Sequence, residues 1–82
     1  MSAFQQRLLE KSVHVEPDYE RLARLALASS GLRPIRELSV ERLGDSLVLA
    51  GQVSTFYQKQ VAQELVRAVA GKLAVLNEVE VP

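Results

Sequence analysis

The sequence predicts a small α+β domain of order αββαβ, in which a three-stranded mixed sheet carries two helices packed on one face. Two observations predict it. Two alternating apolar segments are joined by a two-residue turn, and a capped amphipathic helix follows them with almost no linker. At 82 residues the chain can build one modest core. We expect a domain at 17–82 behind an N-terminal arm, 1–16, that could form a short helix.

Composition excludes several classes of function. Ten basic and ten acidic residues cancel, so no net charge attracts nucleic acid or anionic lipid from a distance. Cysteine is absent, which excludes disulfides and thiolate sites. The start of the chain lacks the apolar run of a secretory signal. As given, the chain is therefore expected to be cytoplasmic, or periplasmic or envelope-bound if it was cut from a longer exported protein.

The first helix is predicted to begin near Glu16, because Pro17 suits the first helical position, where its missing N–H needs no partner. Ser29, Ser30 and Gly31 should end it. Its apolar stripe comprises Tyr19, Leu22, Ala23, Leu25 and Ala26. After it, Pro34 predicts an extended entry into the first strand.

A hairpin is predicted from strands 37–43 and 46–53. The two-residue link, Gly44-Asp45, places glycine first and suits a type II′ turn. That turn pairs Val40 with Leu49 on the inner face, whereas Glu41 and Val48 face outwards. Gly51 lies on a strand where glycine is costly, which indicates close packing of a helix backbone or an aromatic ring, or else a ligand approaching the backbone.

The second helix should be capped by Thr55, which forms a T-x-x-Q capping box with Gln58. The core-facing residues are then predicted to be Tyr57, Val61, Leu65, Ala68 and Val69. Gly71 lies where a left-handed cap is expected. The last strand, 73–81, has Asn77 within its inward row, either bonded to a neighbouring loop or contacting a ligand. The pattern leaves open whether this strand pairs with strand one or strand two.

Residues 47–54 and residues 71–81 contain two motifs that resemble those of the BON domain, a small lipid- or partner-binding module of bacterial envelope and osmotic-stress proteins. Residues 47–54, Leu-Val-Leu-Ala-Gly-Gln-Val-Ser, resemble its V-x-L-x-G-x-V-x pattern. Residues 71–81 resemble its closing G-V-x-x-V-x-N-x-L-x-V pattern, although Lys72 stands where the family usually has an apolar residue. The resemblance covers the chain from about Asp18 to its end. It implies a non-enzymatic module that binds a phospholipid or membrane surface or a protein partner.

No catalytic residues, metal ligands or cofactor-binding residues are predicted. His14 is the only histidine, and no carboxylate stands at a helical spacing from it. The serines lack a nearby base, and no glycine-rich phosphate loop is present. Single-strand nucleic-acid binding is disfavoured because the predicted outer sheet face has glutamates and no aromatic residue.

Two surfaces are candidates for contact with lipid or a partner. Phe56 falls off the apolar stripe of its helix, so its ring should lie exposed at the helix start beside Lys59. The outer sheet face should present Val48, Ala50 and Leu76. Phe56 could instead fold back onto the first helix or the N-terminal arm, and the arm could cover the sheet. The alternative to a lipid-binding module is a protein-binding or self-associating module with no lipid role.

Overall fold

The computed structural model describes residues 16–82 of the chain. The N-terminal arm predicted for 1–16 therefore lies outside the described residues except for Glu16, as does His14. The described elements, in chain order, are α1 (Tyr19–Ala28), α2 (Arg33–Arg36), β1 (Ser39–Leu43), β2 (Ser46–Ala50), α3 (Phe56–Arg67) and β3 (Ala74–Asn77).

The three strands form one mixed sheet in the order β1-β2-β3. β1 pairs antiparallel with β2, and β3 pairs parallel with β2. The α+β fold class and the mixed sheet are confirmed. The position of the last strand, which the sequence left open, is beside β2, so β2, α3 and β3 form a β-α-β unit with α3 as the crossover.

The first helix begins later than predicted. Asp18 is its N-cap, and a carboxylate oxygen of Asp18 accepts a hydrogen bond from the N–H of Arg21 at 3.1 Å. Because this side chain satisfies a free N–H of the first turn, the helix starts at Tyr19 and Pro17 precedes the cap. The predicted start at Glu16 is therefore wrong, whereas the end at Ser29 is confirmed.

A short helix, α2, occupies the segment that was predicted to be extended. Pro34 lies in its first turn, where the missing N–H costs nothing, and Ile35 is fully buried. Leu32, one residue earlier than predicted, has the extended conformation. Burial of Ile35 in the core outweighs the preference of Arg33, the residue before proline, for extended backbone.

The hairpin has the predicted register. Val40 pairs with Leu49 and Glu41 pairs with Val48 across the Gly44-Asp45 turn. Gly44 has φ 61°, and no residue other than glycine has a positive φ in the described chain. Among two-residue turns, only type II′ has positive φ at the first position alone, so the predicted turn type is confirmed.

Gly51 directly follows β2, which ends at Ala50, so it does not lie within a strand as predicted, and its close neighbour leaves no room for a side chain. Its φ is 126°, and a Cβ at this position would lie 2.8 Å from Leu38 Cδ2. The packing is as close as predicted, but the neighbour is a leucine side chain. The predicted neighbours, a helix backbone or an aromatic ring, are not the atoms that occupy this space.

The third helix is capped as predicted and rotated from its predicted orientation. Thr55 Oγ1 accepts from the N–H of Gln58 at 3.1 Å, while Gln58 Oε1 accepts from the N–H of Ser54 at 2.8 Å. The fully buried residues of α3 are Ala62 and Val66. The predicted stripe through Tyr57 is thus displaced by one residue, or about 100° around the helix axis.

Small residues explain this rotation. Ala23 of α1 and Ala62 of α3 are both fully buried where the two helices pack over the sheet. Alanines at a helix contact let the two axes approach closely, so the bulkier Val61 and Leu65 move to the flanks and stay half-buried. The buried core comprises Ala23, Leu27, Ile35, Leu38, Val40, Leu47, Leu49, Val53, Ala62, Val66, Ala70 and Val79.

Gly71 has the left-handed conformation that was predicted, with φ 59°. It follows the end of α3 by several residues, because Ala68 is the C-cap and a further turn intervenes. A Cβ on Gly71 would lie 2.8 Å from the Tyr19 ring. The glycine therefore lets the first residue of α1 pack against the loop that leads into β3.

Candidate docking surface

Two adjacent aromatic side chains project from the first turn of α3. Phe56 is 74% exposed and Tyr57 is 70% exposed. We call Phe56 and Tyr57 the aromatic turn. The Thr55 cap sets where the helix begins, and burial of Ala62 and Val66 sets its rotation, so both rings are directed away from the core. Phe56 is exposed, which is one of the two outcomes that the sequence left open, whereas Tyr57 was wrongly predicted to be in the core.

A wide open groove of about 610 Å³ lies beside Phe56, where the segment after β3 passes the start of α3. We call it the carboxyl-end groove, and it is lined by Gln52, Phe56, Lys59 and residues 78–82. Lys59 is the only cationic side chain in this lining, which also includes the two acidic residues Glu78 and Glu80. The balance of formal charge in the groove is therefore negative, which opposes the binding of an anionic group.

A second, smaller depression of about 290 Å³ runs along α3 from Tyr57. Its apolar floor is formed by Tyr57, Val61, Leu65 and Ala68, one helical turn apart, with Gln60 and Glu64 at its margin. We call these four residues the α3 stripe. They include most of the residues predicted to face the core, so the rotation of α3 converts a predicted core stripe into a partly exposed surface.

Asn77 fixes the wall of the carboxyl-end groove to the helix. Its Nδ2 donates to the Lys59 carbonyl oxygen at 2.9 Å and to Gln63 Oε1 at 3.3 Å, and its Oδ1 accepts from the N–H of Val79 at 3.2 Å. Its polar atoms are thus engaged by the protein itself. The bond with Val79, in the loop after β3, agrees with the predicted contact to a neighbouring loop, and the two bonds to α3 were not predicted.

The other predicted contact residues lie on the opposite, outer face of the sheet. Leu76 is 47% exposed and pairs with Val48, which is half-buried; Ala50 is exposed. Because α1 and α3 pack on the inner face, these residues do not join Phe56 and Lys59 in one site. Leu43, 55% exposed, also contributes to the outer face and was not singled out from the sequence.

The candidate surfaces described above offer mainly apolar contact area, and the following observations concern metal binding, buried polar groups and membrane spans. Within residues 16–82, no group of three or more His, Asp or Glu side chains is arranged to hold a metal ion. Every buried side-chain nitrogen or oxygen in this part of the chain has a hydrogen-bond partner. None of the helices described is both long and apolar enough to cross a bilayer.

Comparison with known proteins identifies a family that matches most of the described residues. Among curated proteins, none matches this sequence. The BON domain family matches residues 20–82, which include every described element except the first residue of α1. That range contains both motifs whose resemblance was noted, and Gly51 and Gly71 within them both have the positive φ that requires glycine. The chain therefore belongs to the BON domain family.

Proposed function

We propose that this chain is a non-catalytic docking module that binds a partner protein through the aromatic turn and the α3 stripe. The observation that carries the proposal is the exposure of Phe56 and Tyr57 side by side, at 74% and 70%. Large aromatic side chains contribute most of the binding energy at many protein interfaces, and they are costly to leave in water. Membership of a family of binding modules supports the same assignment.

The shape of the surface supports a partner with an apolar segment. The α3 stripe presents side chains at successive turns of one helix, and its shallow depression could receive a helix or an extended chain. Gln60 and Glu64 at the margin are hydrogen-bonded to each other at 3.0 Å. An apolar centre with a polar rim is the usual anatomy of a protein interface.

A phospholipid surface is the second candidate, and one observation favours it. Phe56 lies beside Lys59 at the start of α3, where an aromatic ring and a cation could sit at the level of lipid headgroups. Glu78 and Glu80 in the same groove oppose anionic headgroups, so this candidate is expected to favour neutral over anionic membranes.

Site-specific crosslinking tests the proposal. A photoreactive phenylalanine analogue at position 57 should give a discrete adduct with one other protein in cells of the source organism. The same analogue at Leu43, an exposed apolar residue on the outer face, is the matched control and should give no such adduct. Equal labelling at both positions, or none at position 57, would overturn the assignment.

Vesicle co-sedimentation separates the two candidates. The wild type, Phe56→Ala and Leu43→Ala are mixed with neutral and with anionic liposomes at low salt. Absence of binding to both vesicle types removes the lipid candidate. Binding that Phe56→Ala abolishes and Leu43→Ala leaves intact would replace the protein-partner proposal with the lipid one.

A further inference from the structure

The two edges of the sheet differ in whether other groups of the protein occupy their outward-facing backbone N–H and C=O groups. At the β1 edge, the N–H of Arg42 points away from β2 and donates to Glu20 Oε1 at 3.0 Å, and Arg42 Nη1 contacts Glu16 Oε2 at 3.1 Å. α1 also packs against β1. Side chains and a helix thus occupy this edge, which is how proteins prevent further strand pairing.

The β3 edge has no such protection among residues 16–82. β3 is Ala-Val-Leu-Asn, with no proline and no charged residue. The N–H groups of Ala74 and Glu78 donate to the carbonyl oxygens of Asp45 and Leu49 in the β2 direction. Since alternate residues of a strand face opposite edges, Val75 and Asn77 direct their backbone groups outwards. After them, the N–H of Val79 is already bonded to Asn77 Oδ1, which ends the open edge.

Opposite charges flank this open edge symmetrically. Lys72 lies in the turn three residues before Val75, and Glu78 lies three residues after it. Both side chains are exposed. A second copy paired antiparallel about Val75 would bring each Lys72 to the Glu78 of the other copy. The strand is therefore complementary to itself in charge as well as in hydrogen bonding.

We propose that the free edge of β3 is a self-association site, at which two copies of the chain pair antiparallel about Val75 to form a continuous six-stranded sheet. Each Val75 donates its N–H to the Val75 carbonyl of the other copy, and each Asn77 donates to the carbonyl of Leu73 in the other copy. On the outer face, Leu76 then packs beside Ala74 of the second copy and extends the apolar row that begins at Val48.

The Lys72–Glu78 ion pairs are specific to this register. A pairing centred on Leu76 would use the same outward backbone groups of Val75 and Asn77, but it would place Glu78 opposite Ala74 of the other copy. A pairing centred on Ala74 would place Lys72 opposite Leu76 and lose both ion pairs. Because a short edge-to-edge contact buries less surface than a standard interface, the association should be weak, with a Kd between about 1 μM and 1 mM.

The site is distinct from the aromatic turn, although Glu78 also lines the carboxyl-end groove. Phe56→Ala should therefore leave self-association unchanged. A loss of association in Phe56→Ala would mean that the aromatic turn, and not the β3 edge, joins the copies.

Charge reversal tests the pairing without breaking the fold. Lys72→Glu and Glu78→Lys each place like charges together twice in the homodimer, so each should weaken association at least about tenfold in sedimentation velocity at low salt. In an equimolar mixture of the two variants, both ion pairs of the heterodimer are again opposite in sign. The mixture should therefore associate as strongly as the wild type, as should the double variant.

The control for general charge attraction is Glu64→Lys, which makes the same charge change on the exposed side of α3. Mixed with Lys72→Glu, it should not restore association. A wild type that remains monomeric up to about 1 mM overturns the proposal. So does a mixture of Lys72→Glu and Glu78→Lys that associates no better than either variant alone.

Discussion

Asn77 joins the end of β3 to the first turn of α3 by donating its side-chain amide to the Lys59 carbonyl oxygen at 2.9 Å. The same side chain accepts from the N–H of Val79 at 3.2 Å. One part-buried amide therefore holds the helix that carries Phe56 against the chain that lines the carboxyl-end groove, and ends the open edge of β3.

Replacement of Asn77 should destabilise the fold. Asn77→Ala leaves the N–H of Val79 without its partner and is expected to lower the free energy of unfolding by about 1–2 kcal/mol. Asn77→Asp should cost more, because a carboxylate would face the Lys59 carbonyl and Gln63 Oε1 with no donor. Urea denaturation measures both. Gln60→Ala, which removes an exposed hydrogen bond on the same helix, is the control and should change stability by less than about 0.5 kcal/mol.

A methyl group at Gly71 should be strongly unfavourable, whereas one at Gly31 should not. Gly71 has φ 59° and its Cβ would meet the Tyr19 ring at 2.8 Å. We expect Gly71→Ala to cost about 1–3 kcal/mol from backbone strain and overpacking. Gly31 has no positive φ and nothing within 4 Å of its Cβ position, so Gly31→Ala should be neutral or stabilising by up to about 1 kcal/mol.

A second substitution separates the steric part of the Gly71→Ala cost from the part that comes from backbone strain. In a Tyr19→Ala background the ring is gone, so Gly71→Ala should cost less than it does in the wild type. An equal cost in both backgrounds would show that the ring does not limit this position.

Two valines on α3 test the rotation of the helix. Val66 is fully buried and Val61 is half-buried, so the same truncation removes different amounts of packing. Val66→Ala should cost about 2 kcal/mol and Val61→Ala less than about 1 kcal/mol in thermal or urea unfolding. The reverse order would support the predicted orientation, in which the stripe through Tyr57 and Val61 faces the core.

Glu20 should stabilise the fold through its hydrogen bond to the β1 edge. Glu20→Ala frees the N–H of Arg42 and is expected to cost about 1 kcal/mol, while Glu20→Gln keeps an acceptor oxygen and should cost less. Glu37→Ala, which breaks the exposed ion pair with Arg33, is the control and should change stability by less than about 0.5 kcal/mol. Equal effects of Glu20→Ala and Glu37→Ala in urea unfolding would contradict this role.

Features governed by residues close in sequence were predictable. The Gly44-Asp45 turn and the alternation of Val40 and Glu41 specify the hairpin register, because turn geometry and the pleat depend on adjacent residues. The Thr55 cap and the left-handed Gly71 follow from local backbone chemistry in the same way. The short helix α2 was missed because the local preference at Arg33 is overridden by burial of Ile35.

Features that depend on packing between distant elements were not predictable. The apolar residues of α3 cover more than one face, so periodicity alone permits both orientations of the helix. The packing of α1 against α3, with Ala23 and Ala62 both fully buried, decides between them, and it leaves Tyr57 exposed beside Phe56.

By itself, the sequence determined the order of the three strands and the two longer helices, the register of the hairpin and the Thr55 cap of α3, because each depends on residues close in sequence. Only the tertiary structure decided that β3 pairs with β2, that Ala62 replaces the predicted stripe in the core, that Phe56 is exposed, and that no strand among residues 16–82 pairs with the outer edge of β3. These outcomes depend on packing between elements that are distant in the sequence, and such long-range packing is not encoded in the spacing of adjacent residues.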